Sequence, residues 1–413
     1  MQRTMHKTTY VLMAVAGICI LLLTQWQTHS QTSVPSPCRD KKLALPLKDL
    51  DPVSDEAFFK GCDEFMEEET PDEGLGPVFN GKSCAECHSV PSVGGFEPNV
   101  GVARETRIGR LVDGVFDPLD GKGPGAVNKG GGLLQQRAIN LSTCKQLTGE
   151  IVPQEATIVS LRNTTPLFGA GLIEAIPEKT ITDRALINGG RPNRVFNPDP
   201  PPGQSNVLGR FGWKAQVATL KQFAGDAYLN EMGITNPSFP DENLPQGEPI
   251  PPGCDLAPTK ENPNGLEDDG SGVQAFADFM KFLAPLEPQR TVTGGLDLFS
   301  STGCANCHIP TMMTGSNAVE ALNNKPVHLY SDLLLHDIGT DDGIVQGLAQ
   351  GNEFRTAPLW GLSRRDRFMH DAKSNKIEDA ILRHGKEALT AREKFESLSP
   401  GQRAVLLAFL GSL

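Results

Sequence analysis

Two short stretches of this chain share one chemical pattern: SCAECH, carrying Cys84, Cys87 and His88, and GCANCH, carrying Cys304, Cys307 and His308. Two thiols on one turn can add across the vinyl groups of a haem, and the imidazole that follows can reach its iron from the same turn. Zinc would want further ligands at finger-like spacing, and none follows either pair. A thioredoxin-like dithiol would want a βαβ setting, which is absent around both. The pattern occurs twice, each time with its histidine, and implies two covalently bound haem c groups.

The motifs belong to a longer repeat. VFNGKSCAECH (78–88) matches LFSSTGCANCH (298–308), and RNTTPLFG (162–169) matches RTAPLWG (355–361). LIEAIPEKTITDRALINGG (172–190) then lies without gaps on FMHDAKSNKIEDAILRHGK (368–386). In the second copy Ile377, Ile381 and His384 fall at i, i+4 and i+7, so a helix would turn His384 inward. There it would fill the sixth position of the iron held by His308. Two imidazoles favour a low-spin iron, which suits electron transfer.

The first copy carries Asn188 at that place, and a carboxamide is a poor iron ligand. Its domain contains no histidine besides His88. The N-terminal iron is therefore expected to keep a position for a small oxidant such as peroxide, unless Met66, Met232 or Met280 fills it. Glu174 aligns with His370 and lies in the apolar stretch GLIEAIP. It is the expected catalytic carboxylate, moving a proton between peroxide oxygens with its pKa raised by a low dielectric. A helix-terminal acid or an ion-pair partner is the plainer reading of the same residue. His370 is expected near a haem propionate, and His336 is a second candidate for the closed iron. Trp213 and Trp360 could lie between the haems, while Arg162 and Arg355 could pair with propionates.

Helices must position these groups. Thr180 with Asp183, and Asn375 with Glu378, read as helix starts. Amphipathic stretches at 275–286 and 402–413 close the two copies, the second opened by Ser399 and Pro400. A length of 413 residues suits two domains, with a seam near 287–292. The expected architecture is mainly α: a cytochrome c-like haem domain over 31–287 and a second over 288–413. With 43 glycines and 32 prolines, long irregular loops should join the helices. LEDDGSG (266–272) reads as an acidic turn ahead of a helix in preference to a calcium loop.

Residues 1–30 read as a signal peptide. Arg3 and Lys7 precede the apolar run VLMAVAGICILLL, and Thr28 and Ser30 are placed for cleavage before Gln31. The protein is thus expected in the periplasm, membrane-bound only if the segment stays uncleaved. Loss of Arg3 and Lys7 would take the net charge from −12 to −14. Such acidity argues against nucleic acid and suits a cationic redox partner. In an oxidising compartment Cys38, Cys62, Cys144 and Cys254 could form two disulfides in any of three pairings.

The phrases EGLGPVFN, SCAECHS, RNTTPLFGAGLIEAIP, GRFGWKA, YSDLLLHDIG, RTAPLWGL and FMHD with ILRHGKEA resemble the bacterial di-haem oxidoreductase family, from about residue 52 onward. Its members are often called peroxidases or thiol oxidoreductases. The family is similar to di-haem cytochrome c peroxidases and MauG-type enzymes, in which the N-terminal haem is peroxidatic and the C-terminal haem passes electrons. The resemblance implies that His384 ligates the C-terminal iron, where those relatives use methionine or tyrosine. It also implies a small electron donor of the cytochrome or cupredoxin type. The peroxidases' displaceable histidine after the first haem motif has no counterpart after His88. Their calcium-binding positions are Arg365 and Arg367 here, so a calcium site does not carry over. Two other readings stay open: a non-catalytic di-haem electron carrier, and a MauG-like oxidase of a protein or organosulfur substrate.

Overall fold

Ser36 caps α1 (Pro37–Lys41), its Oγ accepting the Arg39 N–H at 3.1 Å. Asp51 does the same for α2 (Pro52–Met66), accepting from Val53 and Ser54, and Pro52 fills a first-turn position that needs no N–H. The structure is a computed structural model that describes residues 36–97, 105–123, 127–199, 203–255 and 265–413. The expected signal peptide lies outside the described residues.

After α2 the chain forms β1 (Val78–Phe79) and the one-turn helix α3 (Cys84–Cys87). Four strands follow, β2 (Glu105–Val112), β3 (Val115–Asp117), β4 (Arg137–Ala138) and β5 (Ile158–Arg162). Strands β3, β2 and β5 make an antiparallel sheet in that order, with Arg107 opposite Ser160, and β4 pairs with β1. Helices α4 (Ala170–Glu174) and α5 (Glu178–Asn188) lead into the hairpin of β6 (Arg194–Asn197) and β7 (Gln204–Leu208). Then come α6 (Leu220–Met232) and α7 (Ser271–Phe282). Asp268 and Asp269 hold the start of α7 by accepting the Gly272 and Ser271 N–H groups.

Beyond residues 287–292 lie α8 (Gly295–Ser301), the pair β8 (Met312–Met313) and β9 (Pro326–Val327), and the pair β10 (Leu335–Asp337) and β11 (Glu353–Arg355). The chain closes with α9 (Ile377–Leu382), α10 (Leu389–Ser397) and α11 (Pro400–Leu410). At α11 the expected Ser399–Pro400 start is present, with Gln402 completing the capping box. The other two expected starts move: α5 begins at Glu178, directly after Pro177, and α9 at Ile377. Disulfides join Cys38 to Cys62 and Cys144 to Cys254, selecting one of the three pairings.

The mainly α expectation is corrected. Helix makes up 33% and strand 16%, and the described residues hold several small antiparallel sheets, so the fold is mixed. The largest sheet forms from residues for which the sequence reading expected no strand. Its turn carries a legible signal, Asp113-Gly114, with φ of 51° and 80°, as a tight hairpin of right-handed twist requires. Along β2 the buried Thr106 and Ile108 alternate with less buried neighbours, the period-2 pattern of a half-buried strand.

One apolar core joins α2, α4, α6 and α7 with Ile309, Met312, Leu333, Leu334 and Trp360 from beyond the 287–292 segment. A second gathers Phe299, Phe368, Phe395, Leu406 and Phe409. In the first core α2 crosses α7 at Gly61, where a β-carbon would sit 2.2 Å from the Ala275 carbonyl oxygen. Backbone cannot yield as a flexible side chain can. Gly61→Ala should therefore lower the unfolding free energy of the holoprotein by about 1–3 kcal/mol, read from denaturant unfolding.

Candidate haem sites

The α3 turn places Cys84 and Cys87 on one side of a cavity of about 290 Å³, and His88 follows as the helix cap with its N–H on the Cys84 carbonyl (3.1 Å). The ring Nδ1–H of His88 donates to the Gly95 carbonyl at 3.1 Å, which leaves Nε2 as the nitrogen with a lone pair. Burial lowers the pKa of His88 to about 4, so the ring is neutral at ordinary pH. Phe65 of α2, Phe276 and Met280 of α7, Trp213, and Met232 of α6 complete much of the apolar lining. Among the described residues no second histidine lines this cavity.

The second motif repeats the turn. His308 sends its N–H to the Cys304 carbonyl (2.9 Å) and its Nδ1–H to the Tyr330 carbonyl (2.9 Å). His384, two residues past the end of α9, has its Nδ1–H on the Ala380 carbonyl at 2.8 Å. The two ring centroids lie 6.5 Å apart. Two metal–nitrogen bonds of about 2 Å plus the half-widths of two rings come to roughly 6 Å. The pair is thus spaced for one metal ion between two Nε2 atoms, with both outer nitrogens held by backbone carbonyls. Burial lowers the pKa of both rings, that of His308 to about 4.

His336 is built differently. Its Nε2 meets Asp332 at 2.9 Å and its Nδ1 meets Glu387 at 2.7 Å, so neither nitrogen is spare. Burial alone would lower its pKa, but Asp332 and Cys307 outweigh it and push the ring up to about 11. His370 stacks on Phe354 at 4.0 Å and meets Trp213 edge-on at 6.2 Å. Trp213 donates its Nε1–H to the Asn163 carbonyl (2.7 Å) and lines both the large cavity and a small one of about 30 Å³, which Trp360 also lines.

Arg162 is 1% exposed and pairs with Asp342 at 2.8 Å while lining the large cavity. Arg355 donates its Nε–H to Gly212 at 2.8 Å, but its buried Nη1 meets no acceptor among the described residues, and neither does the buried Nη2 of Arg365. Both arginines face the small cavity, and burial lowers each to about 10. Buried guanidinium nitrogens left without an acceptor fit a group that brings carboxylates with it, as haem does. The four free cysteines, the three histidines with spare Nε2 atoms and these arginines together suit two haems.

Glu174 lies elsewhere. It ends α4 and accepts the Leu220 N–H at 2.8 Å, in the first turn of α6, and it lines neither cavity. Burial raises its pKa, opposed by that hydrogen bond and by Lys281 and Arg210. Asn188 ends α5 beside the exposed Leu186 and Ile187, also away from the cavities. Three acids line the large cavity, Glu105 of β2 with Asp226 and Glu231 of α6, and Glu231 stands near the end of that helix. Its carboxylate accepts from Asn80 Nδ2 at 2.7 Å, and burial, with Glu105 nearby, pushes it up to about 7. The sequence reading missed it. Ala224, Ala227 and Glu231 share one helical face toward the cavity, a spacing visible in LKQFAGDAYLNEM. Glu105 and Arg107 of β2 also line the wall, and finding them required seeing the strand.

Two thiol turns, each with a buried imidazole, and a pair of histidines spaced for a shared metal define a redox protein built around haem. The chain belongs to the di-haem oxidoreductase family: the family model described as "Di-haem oxidoreductase, putative peroxidase" matches residues 140–413. The match spans more than half of the chain and leaves Cys84 to His88 outside it. No curated protein matches the chain. Among solved structures the chain is similar to Kuenenia stuttgartiensis hydrazine synthase, at 14% identity and a TM-score of 0.38, over 99% of this chain and 100% of that one. It is also similar to a MauG-like protein associated with microbial copper homeostasis, at 15% identity and a TM-score of 0.38, over 92% of this chain and 95% of that one.

Substituting His384→Ala should turn the C-terminal haem from low-spin to high-spin in the ferric absorption spectrum, and added imidazole should restore the low-spin bands. An unchanged spectrum in the variant would show that His384 is not the ligand.

Proposed function

We propose that the protein is an exported di-haem c peroxidase, with the N-terminal haem on Cys84, Cys87 and His88 and the C-terminal haem on Cys304, Cys307, His308 and His384. The observation that carries this reading is the asymmetry of the two sites. His384 faces His308 at 6.5 Å, whereas His88 faces a cavity of about 290 Å³ in whose lining the described residues place no second imidazole. The haems, when bound, supply the redox chemistry: an iron able to take an oxidant at the first site and an iron that passes electrons at the second.

The chain's own residues then bind peroxide and move protons. Glu231 stands on the cavity wall with a pKa near neutrality, so it can take a proton from one peroxide oxygen and return it to the other. Asn80 fixes the orientation of that carboxylate through its 2.7 Å bond. Glu174 acts at one remove, by holding the N-terminus of the helix that carries Glu231. Trp213, His370 and Phe354 form a run of touching rings that an electron could cross. Arg162, Arg355 and Arg365 receive haem carboxylates. Two electrons and two protons reduce one peroxide to two waters, the electrons arriving from a small cytochrome or cupredoxin.

Export to the periplasm is supported by the two disulfides, which persist in oxidising compartments. Among the described residues no helix is long and apolar enough to cross a membrane.

The ferric protein should show one high-spin and one low-spin haem by EPR; two low-spin haems would reduce it to an electron carrier. Glu231→Gln should lower kcat/KM for peroxide by about 100-fold or more. Glu174→Gln keeps an acceptor for Leu220 and should cost far less. Because Glu231 must first accept a proton, activity of the native protein should fall as pH drops below about 7, with an inflection that Glu231→Gln removes.

A further inference from the structure

Tyr228 of α6 and Glu69 form a buried pair that peroxide reduction at Glu231 does not use. The phenol donates to Glu69 Oε1 at 2.7 Å, with Tyr228 6% and Glu69 9% exposed. A buried phenol can be satisfied by any carbonyl, and burying a carboxylate for that purpose alone is costly. A carboxylate is what the phenol would need if its proton had to leave. Burial holds Glu69 up at about 7, so it can be ionised and still take a proton near neutrality.

The pair is also wired to the first haem site. Tyr228 meets Phe276 edge-on at 5.0 Å between centroids, Phe276 meets Phe65 at 6.2 Å, and Phe65 meets His88 at 6.1 Å. Phe276 and Phe65 line the large cavity themselves. An unbroken line of rings thus runs from the phenol to the imidazole beside Cys87.

We propose that Tyr228 and Glu69 form a redox relay serving the N-terminal haem, an inference that rests on the peroxidase reading above. Tyr228 gives one electron, by way of Phe276 and Phe65, to the haem after peroxide has oxidised it. Its phenolic O–H bond breaks, and the proton forms an O–H bond on Glu69. Tyr228 would become a neutral phenoxyl radical, its electron having cancelled one of the two oxidising equivalents that peroxide brings to the bound haem. One electron from the donor protein and return of the proton from Glu69 restore the phenol. The relay holds one of the two oxidising equivalents of peroxide in the protein until the second donor electron arrives.

The chain has three tyrosines, Tyr10, Tyr228 and Tyr330, so the radical can be assigned. The full holoprotein, made with ordinary or ring-deuterated tyrosine, is mixed with hydrogen peroxide, frozen and examined by EPR. A signal that narrows on deuteration, is lost in Tyr228→Phe and is kept in Tyr330→Phe supports the relay. Glu69→Gln should sharply lower the radical yield while leaving the haem's absorption response to peroxide unchanged. A radical that survives Tyr228→Phe, a yield indifferent to Glu69→Gln, or a haem oxidised with no tyrosine signal overturns the relay alone. A holoprotein whose haem absorption peroxide does not alter overturns the peroxidase reading, and the relay with it.

Discussion

The structure turns on a small commitment made three times: an imidazole Nδ1–H given to a backbone carbonyl. Gly95 accepts it from His88, Tyr330 from His308 and Ala380 from His384. Each bond fixes the ring plane and leaves Nε2 as the donor atom toward a metal. Burial then keeps each ring neutral, because a charged imidazolium in a low dielectric is costly. His336 shows the alternative. With carboxylates on both nitrogens it becomes a buried cation and holds β10 against the Glu387 segment.

The carbonyls must themselves be held in place, and the rest of the fold does that. The Gly95 segment folds back on its own motif through the Val90–Phe96 bridge. The N-terminal wall depends on α2, α6 and α7 packing closely enough that Gly61 admits no side chain. The Arg162–Asp342 pair, buried at both ends, ties β5 to the loop that precedes β11. A buried pair of this kind is costly to break, since one partner is then left as an uncompensated charge.

On the proposed assignment, the difference between the two sites comes from where one helix ends. In the second copy α9 stops short of His384, and the following turn swings the ring to face His308. In the first copy α5 ends at Asn188 with Leu186 and Ile187 in solvent, and none of the three lines the cavity. The cavity beside His88 is therefore shaped in large part by α6 and α7, and Glu231 reaches it from α6.

The two Cys-x-x-Cys-His turns were legible in the chain because a thiol–thiol–imidazole spacing is local and can be read without knowing what surrounds it. The Ser399 cap and two disulfides among four cysteines followed for similar reasons, though not the pairing. The sequence reading expected His384 to turn toward His308 from a helix. The rings do lie 6.5 Å apart, but His384 sits beyond the end of α9, so the turn after the helix and not the helical period brings it there. Tertiary structure decided the rest. Glu174 looked like an active-site acid because apolar neighbours imply burial, but burial has no direction in a sequence, and the fold spent it on the α6 N-terminus. Glu231 lay four residues from the nearest cavity-facing alanine, and only the docking of α6 turned that face toward His88. The sheet of β2, β3 and β5 escaped notice because strand pairing joins residues some fifty positions apart, and such contacts are settled by the whole chain closing on itself.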